Sequence, residues 1–246
     1  MWAKATTLVA LYHRPAMDEV LRDRRDRMAD ALAGESARVS EVVLGLPEDV
    51  FGVPTRCPPW DVKALLGHMW RDVDRILVYL AEPAPAAADA TEVTYFRVYD
   101  PVADAPDISR RAQDMADEHG SGRALARSFD QRWPEAVDAS RREDPRRIVR
   151  TFRPSLLLPD YLATRVLEIA VHGLDLAHAL GREAWITPEG TSIVRDILVG
   201  LMGTEPPAAL EWDDVKFIET GTGRRGLGDD ERAILGDRAA LFPLLA

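Results

Sequence analysis

Glu168 and His172 are spaced as two ligands of one metal ion would be on the face of a helix. They lie in the segment DYLATRVLEIAVHGLDLAHALG, residues 160–181. Side chains four residues apart are neighbours on adjacent turns of a helix, so this carboxylate and this imidazole would lie together. An ordinary surface pair has the same spacing. The pair therefore leaves two interpretations open, a metal site and a solvated helix face.

A third donor, His68, lies one hundred residues upstream in the segment CPPWDVKALLGHMW, residues 57–70. On a helical wheel His68 falls beside the apolar stripe of its helix, on the side that carries Asp61 and Asp72. The stripe consists of Val62, Leu65, Leu66, Met69, Val73, Ile76, Leu77 and Leu80. Two histidines and one glutamate would supply three ligands and leave a fourth position open, as in catalytic zinc sites.

Two more polar side chains share the helix face of His172. Asp175 is predicted to orient a ligand histidine as a carboxylate behind it, with a plain surface aspartate as the alternative. Arg165 falls next to His172 on the wheel, so it is a candidate for binding a cofactor or a substrate anion. His178 lies more than a quarter turn from His172 and is not assigned to the site.

Three further features could carry chemistry outside this group. Cys57 stands before a predicted helix, where a thiol pKa is lowered, but no histidine lies near it in sequence, which favours a structural role. Trp60 is interpreted as a packing anchor. The segment TGTGRRGLG, residues 220–228, lacks the signature of a phosphate-binding loop and predicts a turn that points Arg224 or Arg225 at an anionic substrate.

The elements that must position these residues are mostly helical. Apolar periodicity and capping residues predict five helical stretches: 16–46, 58–82, 108–142, 159–180 and 187–203. The third stretch contains a break at GSG 120–122 and a possible kink at Pro134. The Ala- and Pro-rich segment 83–106 contains one β-like run, EVTYF, and predicts a lid or binding loop. After residue 203 a strand, DVKFIE, and a short helix are predicted. We therefore expect a mainly α fold, with a bundle over residues 1–183 and a small α+β appendage over 184–246.

Composition excludes several classes of partner. The formal net charge is −10 and the sequence pI is near 5.0, which opposes nucleic acid or anionic membrane as the main partner. Cys57 is the single cysteine, and no apolar run approaches the ~20 residues of a membrane span. No convincing signal peptide is present. The expectation is a cytoplasmic monomer or homodimer that acts on small molecules.

The two separated segments resemble the N-terminal domain of mycothiol-dependent maleylpyruvate isomerase, part of the DinB-like superfamily. The resemblance covers roughly residues 16–181 and rests on a Cys-Pro-x-Trp motif, a histidine eight residues after that Trp, and a Glu-x-x-x-His-x-x-Asp run. These positions are Cys57, Pro58, Trp60, His68, Glu168, His172 and Asp175. The resemblance implies an antiparallel four-helix bundle whose divalent metal, usually zinc, is bound by His68, Glu168 and His172. It also implies mycothiol as cosubstrate, and thus an actinobacterial source, which agrees with an arginine-rich sequence without asparagine.

The resulting functional hypothesis is a metal-dependent S-transferase or thiol-dependent isomerase that acts on a small electrophile. The isomerase carries a larger C-terminal domain, whereas the tail after Gly203 is about 40 residues long. Two alternatives stay open. One is a hydrolase, lyase or cyclase of secondary metabolism that uses metal-bound water, and the other is a bundle that binds a ligand without catalysis.

Overall fold

The structure, a computed structural model, describes residues 3–98, 101–152 and 154–245, with side chains described from residue 16 onward except at 99–102. Within these residues the chain forms eight α-helices and one short hairpin, so it is mainly α, as predicted. The helices are α1 Ala3–Leu44, α2 Val62–Ala81, α3 Pro101–Glu118, α4 Gly122–Arg142, α5 Leu158–Ala179, α6 Pro188–Met202, α7 Asp214–Gly221 and α8 Asp229–Leu235. The antiparallel strands are β1 Ile148–Val149 and β2 Leu156–Leu157.

Four of the helices form the bundle. The helices α1 and α2 each pack against both α4 and α5, so the four elements close a ring around a common core. The stripe predicted on α2 faces this core, where Leu65, Leu66 and Met69 are completely buried. Outside the ring, α3 packs on α2, α6 packs on α5 and α1, and α7 packs on α6. Among the described residues, no helix has both the length and the apolar composition that a bilayer span requires.

Local sequence sets most helix ends where they were predicted. Thr187 caps α6 by accepting a hydrogen bond from the Gly190 backbone N–H, and Gly203 ends that helix in the left-handed region with φ 79°. Gly181 follows α5 with φ 59°. The helix α2 begins at Val62 rather than near residue 58, because the side chain of Asp61 caps it.

The predicted break in the third helical stretch is present. Ser121 caps α4 by accepting from the Ala124 N–H, which separates α4 from α3. Gly122 has no room for a side chain, since a Cβ there would lie 2.1 Å from the ring of Phe51. Pro134 lies inside α4 without ending it.

Three predictions about the less regular segments were wrong. The segment DVKFIE is helix α7, because Asp213 caps it and its apolar residues Phe217 and Ile218 are buried as one helical face against α6. The run EVTYF ends in a 3₁₀ helix at Thr94–Val98 instead of a strand. The appendage is therefore helical in its described residues. The only strands described form the hairpin between α4 and α5. The first helix, α1, also differs from its prediction, since it begins at Ala3 rather than near residue 16.

Candidate metal centre

Helices α2 and α5 bring the three predicted ligands together. Nε2 of His68 lies 3.6 Å from Oε2 of Glu168, and Nε2 of His172 lies 3.5 Å from the same oxygen. One ligand atom from each residue lies within 4.8 Å of the other two. Ligands bound at about 2.0–2.2 Å to a tetrahedral ion are themselves separated by roughly 3.3–3.6 Å. The donor types and their separations therefore fit a divalent metal, with two imidazole nitrogens and one carboxylate oxygen.

Aromatic packing holds the two imidazoles in place. The rings of His68 and His172 meet edge to face with centroids 4.9 Å apart. The ring of Trp60 lies 4.9 Å from that of His68, and its Nε1–H donates to Oγ of Ser109 on α3 at 3.2 Å. Trp60 is thus the packing anchor that the sequence predicted, and it also forms a wall of the candidate site.

Asp175 lies directly behind His172. Its carboxylate is fully buried and accepts from Nδ1 of His172 at 2.9 Å, from Nε of Arg56 at 2.6 Å and from a terminal nitrogen of Arg224 at 2.8 Å. Burial raises the pKa of Asp175, but these hydrogen bonds outweigh burial and hold that pKa well below its ordinary value. An ionised carboxylate only accepts, so Nδ1 of His172 carries a proton and Nε2 is the nitrogen that would bind a metal ion.

The electrostatics of the ligands follow from the same contacts. Burial alone would raise the pKa of Glu168, yet hydrogen bonds with His172 and His68 and the charge of Arg165 bring it well below the ordinary value. Burial would lower the pKa of His172, but Asp175 raises it well above the ordinary value. The centre therefore holds the ionised carboxylate of Glu168 beside the imidazole of His172. A second carboxylate, that of Asp175, polarises this imidazole.

Arg165 forms an internal ion pair with Asp72. Its buried guanidinium donates to Asp72 on α2 and lies over the ring of Tyr161, 5.3 Å from the centroid. Burial lowers the pKa of Arg165, but Asp72 more than reverses this effect. Arg165 lines the cavity while its guanidinium is paired across the bundle, and its expected role in binding a cofactor or substrate anion stays a prediction.

The tail arginines have different surroundings. Arg224 lines the cavity above the centre, but its guanidinium is held by Asp175 and by the carbonyl of Thr222. Arg225 pairs with Glu231 in the first turn of α8 at 2.8 Å and does not line the cavity, so of these two arginines Arg224 is the one that reaches it. His178 is exposed, which agrees with its exclusion from the site.

Cys57 belongs to the site even though no histidine is near it in sequence. Its Sγ lies 3.1 Å from Oδ2 of Asp175, and Cys57, His172 and Asp175 form a second set of possible ligands. Two guanidinium groups, those of Arg56 and Arg224, bind Asp175 within this set. Their positive charge opposes a divalent cation there, so His68, Glu168 and His172 are the better metal site.

A cavity of about 780 Å³ opens over the ligands. Its walls come from α2, α3, α5, the tail and the segment predicted as a binding loop, which contributes Tyr95 and Phe96. That segment is tied to the bundle by backbone hydrogen bonds from Asp89 and Ala90 to the carbonyl of Ser155.

Sequence reasoning missed several residues of the cavity. Arg71 and Arg75 line it from α2, three and seven residues after His68. This helical spacing could have predicted that both arginines lie on the same side of α2 as His68. Arg56, which binds Asp175, carried no such signal, because it lies in the turn before Cys57 and reaches α5 only in the folded chain.

Comparison with known proteins agrees with this geometry. The family model described as the mycothiol maleylpyruvate isomerase N-terminal domain matches residues 32–177, which include both motifs and all three candidate ligands. Searches of curated proteins and of solved structures found no significant match. The match spans more than half of the chain and confirms the resemblance seen in its motifs. The chain therefore belongs to the mycothiol maleylpyruvate isomerase N-terminal domain family.

Proposed function

We propose that this protein is a metal-dependent enzyme that activates mycothiol for attack on a small electrophile, as an S-transferase or a thiol-dependent isomerase. The observation that carries the proposal is the convergence of His68, Glu168 and His172 at the floor of a cavity large enough for two small molecules. Family membership supports a thiol as the exogenous partner. A cytoplasmic location and a monomeric or homodimeric state are part of the same proposal.

The donor set suits zinc. Two imidazole nitrogens and one carboxylate oxygen are common zinc ligands, and three of them leave one position for a ligand from solution. When bound, the ion would lower the pKa of a coordinated thiol and so supply a thiolate at neutral pH.

The chain's own residues prepare this reaction. Asp175 holds the Nδ1 proton of His172, which turns Nε2 towards the other ligands. Trp60, packed against His68, limits the rotation of that ring. Apolar side chains in the cavity wall, among them Phe96 and Ile108, exclude water from the carbon that is attacked.

Two outcomes follow from attack by the sulfur. The sulfur forms a bond to one carbon of an electrophilic double bond while the π bond breaks, and protonation of the neighbouring carbon and release of this adduct yield a thiol conjugate. If the former double bond rotates first and the carbon–sulfur bond then breaks, the double bond forms again, and the products are an isomer and the regenerated thiol. Net consumption of thiol distinguishes the two outcomes.

Metal analysis tests the first half of the proposal. Protein purified without chelator is expected to contain close to one divalent ion per chain, and His172→Ala is expected to lose most of it. His178→Ala is the matched control, because it removes an exposed imidazole from the same helix and should keep the metal. Full metal occupancy in His172→Ala would overturn the assignment.

Turnover with and without thiol tests the second half. Purified metal-loaded protein is incubated with a panel of electrophiles in the presence and absence of mycothiol. We expect turnover only when mycothiol is present. An unchanged rate without thiol would favour the alternative in which metal-bound water acts in a hydrolase, lyase or cyclase, and a metal-free protein without turnover would favour a ligand-binding bundle.

A further inference from the structure

Six arginines among the described residues line the cavity. Arg165 and Arg224 are bound to aspartates beside the metal ligands and Arg150 is exposed, which leaves three on α2 and α3. Arg71 and Arg75 lie on α2, and among the described residues neither has a carboxylate within ion-pair distance. Arg111 joins them from α3, and its ion pair with Asp107 is long, at 3.8 Å. In a chain with 41 acidic and 31 basic residues, arginines without close acidic partners at one cavity wall require an explanation.

The acids that line the cavity do not neutralise this group. Asp72 is bound to Arg165, and Glu168 faces the two histidines of the metal centre. Glu82 is the remaining acidic residue in the lining. One carboxylate against three guanidinium groups leaves a positive wall, to which an anion would be drawn.

The arginines are close enough to affect each other. Burial lowers the pKa of Arg71, and the charges of Arg75 and Arg111 lower it further, which the charge of Asp72 offsets only in part. Holding like charges together in a half-buried wall is unfavourable unless a bound anion offsets the repulsion. This environment is typical of an oxyanion site and not of a solvated helix face.

An unsatisfied hydroxyl lies in the same cavity lining. Tyr161 is 1% exposed, and its Oη is buried without a hydrogen-bond partner among the described residues. Its ring packs against that of Tyr79, over which the guanidinium of Arg75 lies at 5.7 Å from the centroid. Burial raises the pKa of Tyr161 well above its ordinary value, so the hydroxyl stays a donor and lacks an acceptor.

The distance from the metal ligands follows from helix geometry. Arg71 and Arg75 are three and seven residues after His68 on α2. At about 1.5 Å of rise per residue they lie about 5 Å and about 10 Å further along the helix axis. An anion held there leaves room for a reacting carbon beside the metal centre.

We propose that Arg71, Arg75 and Arg111 form a subsite for the carboxylate or phosphate group of the electrophilic substrate, with the hydroxyl of Tyr161 as a further donor in the same wall. The assignment to the electrophile rests on the proposed function. Mycothiol carries hydroxyl and amide groups but no carboxylate or phosphate, so it offers no anionic group that three guanidinium groups would bind. The electrophile is thus an anion whose charged group lies one to two helical turns from its reacting carbon.

Calorimetric titration of the metal-free protein tests the subsite separately from metal and thiol chemistry. The probes are succinate and inorganic phosphate, each titrated at constant ionic strength, and the tighter probe identifies the group that the subsite prefers. We expect wild-type protein to bind at least one probe, and Arg71→Gln with Arg75→Gln to weaken its affinity about tenfold or more. Arg110→Gln is the matched control, since Arg110 lies on α3, pairs with Asp114 and does not line the cavity.

Several results would overturn the subsite. They are an affinity in the double variant equal to that of wild type, an equal loss in Arg110→Gln, or no binding of either probe by wild type at millimolar concentration. If circular dichroism shows that the double variant is unfolded, Arg111→Gln carries the same comparison with Arg110→Gln. Because no metal or thiol is present, anion binding can succeed while the thiol-transfer proposal fails, and the reverse is equally visible.

Discussion

Replacing Asp72 by alanine is expected to destabilise the protein strongly, because it leaves the guanidinium of Arg165 buried without its partner. The two residues are both 7% exposed and join α2 to α5 across the bundle. Removing one member of a buried ion pair costs about 3–5 kcal/mol of unfolding free energy. For a domain of this size each kcal/mol corresponds to about 2–4 °C in Tm, so Asp72→Ala should lower Tm by about 6–20 °C.

An exposed pair provides the matched control. Arg38 and Glu41 form an ion pair on α1 with side chains 46% and 69% exposed. Solvent screening limits such a pair to about 0–1 kcal/mol, so Glu41→Ala should shift Tm by no more than about 4 °C. The comparison isolates burial, since both variants remove one carboxylate from one arginine on a helix.

A compensating variant tests the cause directly. Asp72→Leu combined with Arg165→Met removes both charges and keeps apolar volume, so it should recover most of the stability lost in Asp72→Ala. Unfolding is followed by calorimetry after the metal has been removed, because Oδ2 of Asp72 lies 3.4 Å from Nε2 of His68 and bound metal would add its own stabilisation. If Asp72→Ala shifts Tm no more than Glu41→Ala, the reasoning is refuted, and Arg165 would be free to bind a ligand.

Two further predictions concern packing and pH. Gly67→Ala should lower the unfolding free energy by about 1–3 kcal/mol in thermal unfolding, because the new Cβ would lie 2.7 Å from the backbone oxygen of Ala112 on α3. Gly52→Ala is the control, since no atom lies within 4 Å of the new Cβ, and its unfolding free energy should stay close to that of wild type. Burial raises the pKa of Glu35, which accepts from Thr187 at the start of α6, so the ionised form weakens the folded state as pH rises through and above the ordinary pKa. Glu35→Gln should therefore have a higher Tm than wild type at pH 8, and the difference should close as pH falls below about 4.3; a difference that widens towards acid would contradict this.

Local sequence was sufficient for the helices that carry the candidate ligands. The bounds of α5 and α6 followed from apolar periodicity and from residues such as Thr187 and Gly181, because capping and left-handed ends depend on a few neighbouring residues. The spacing of Glu168 and His172 likewise predicted their proximity, since helix geometry is the same in every fold. The short segment that became α7 was mistaken for a strand, because a few residues do not distinguish the two periodicities.

The pairing of charges was decided only by the tertiary structure. Arg165 and Asp72 are 93 residues apart, and Cys57 and Asp175 are 118 apart, so no local pattern connects them. The sequence selected Arg165, Arg224 and Arg225 as the anion-binding arginines, yet the first two are bound to buried aspartates and the third to Glu231. Arg71 and Arg75 line the cavity, and in the described part of the chain neither has a carboxylate within ion-pair distance. Residue type and spacing determined that these helices could carry two histidines, a glutamate and several arginines. Which arginine is neutralised depends on which carboxylate is desolvated beside it, and that is settled only when the helices pack.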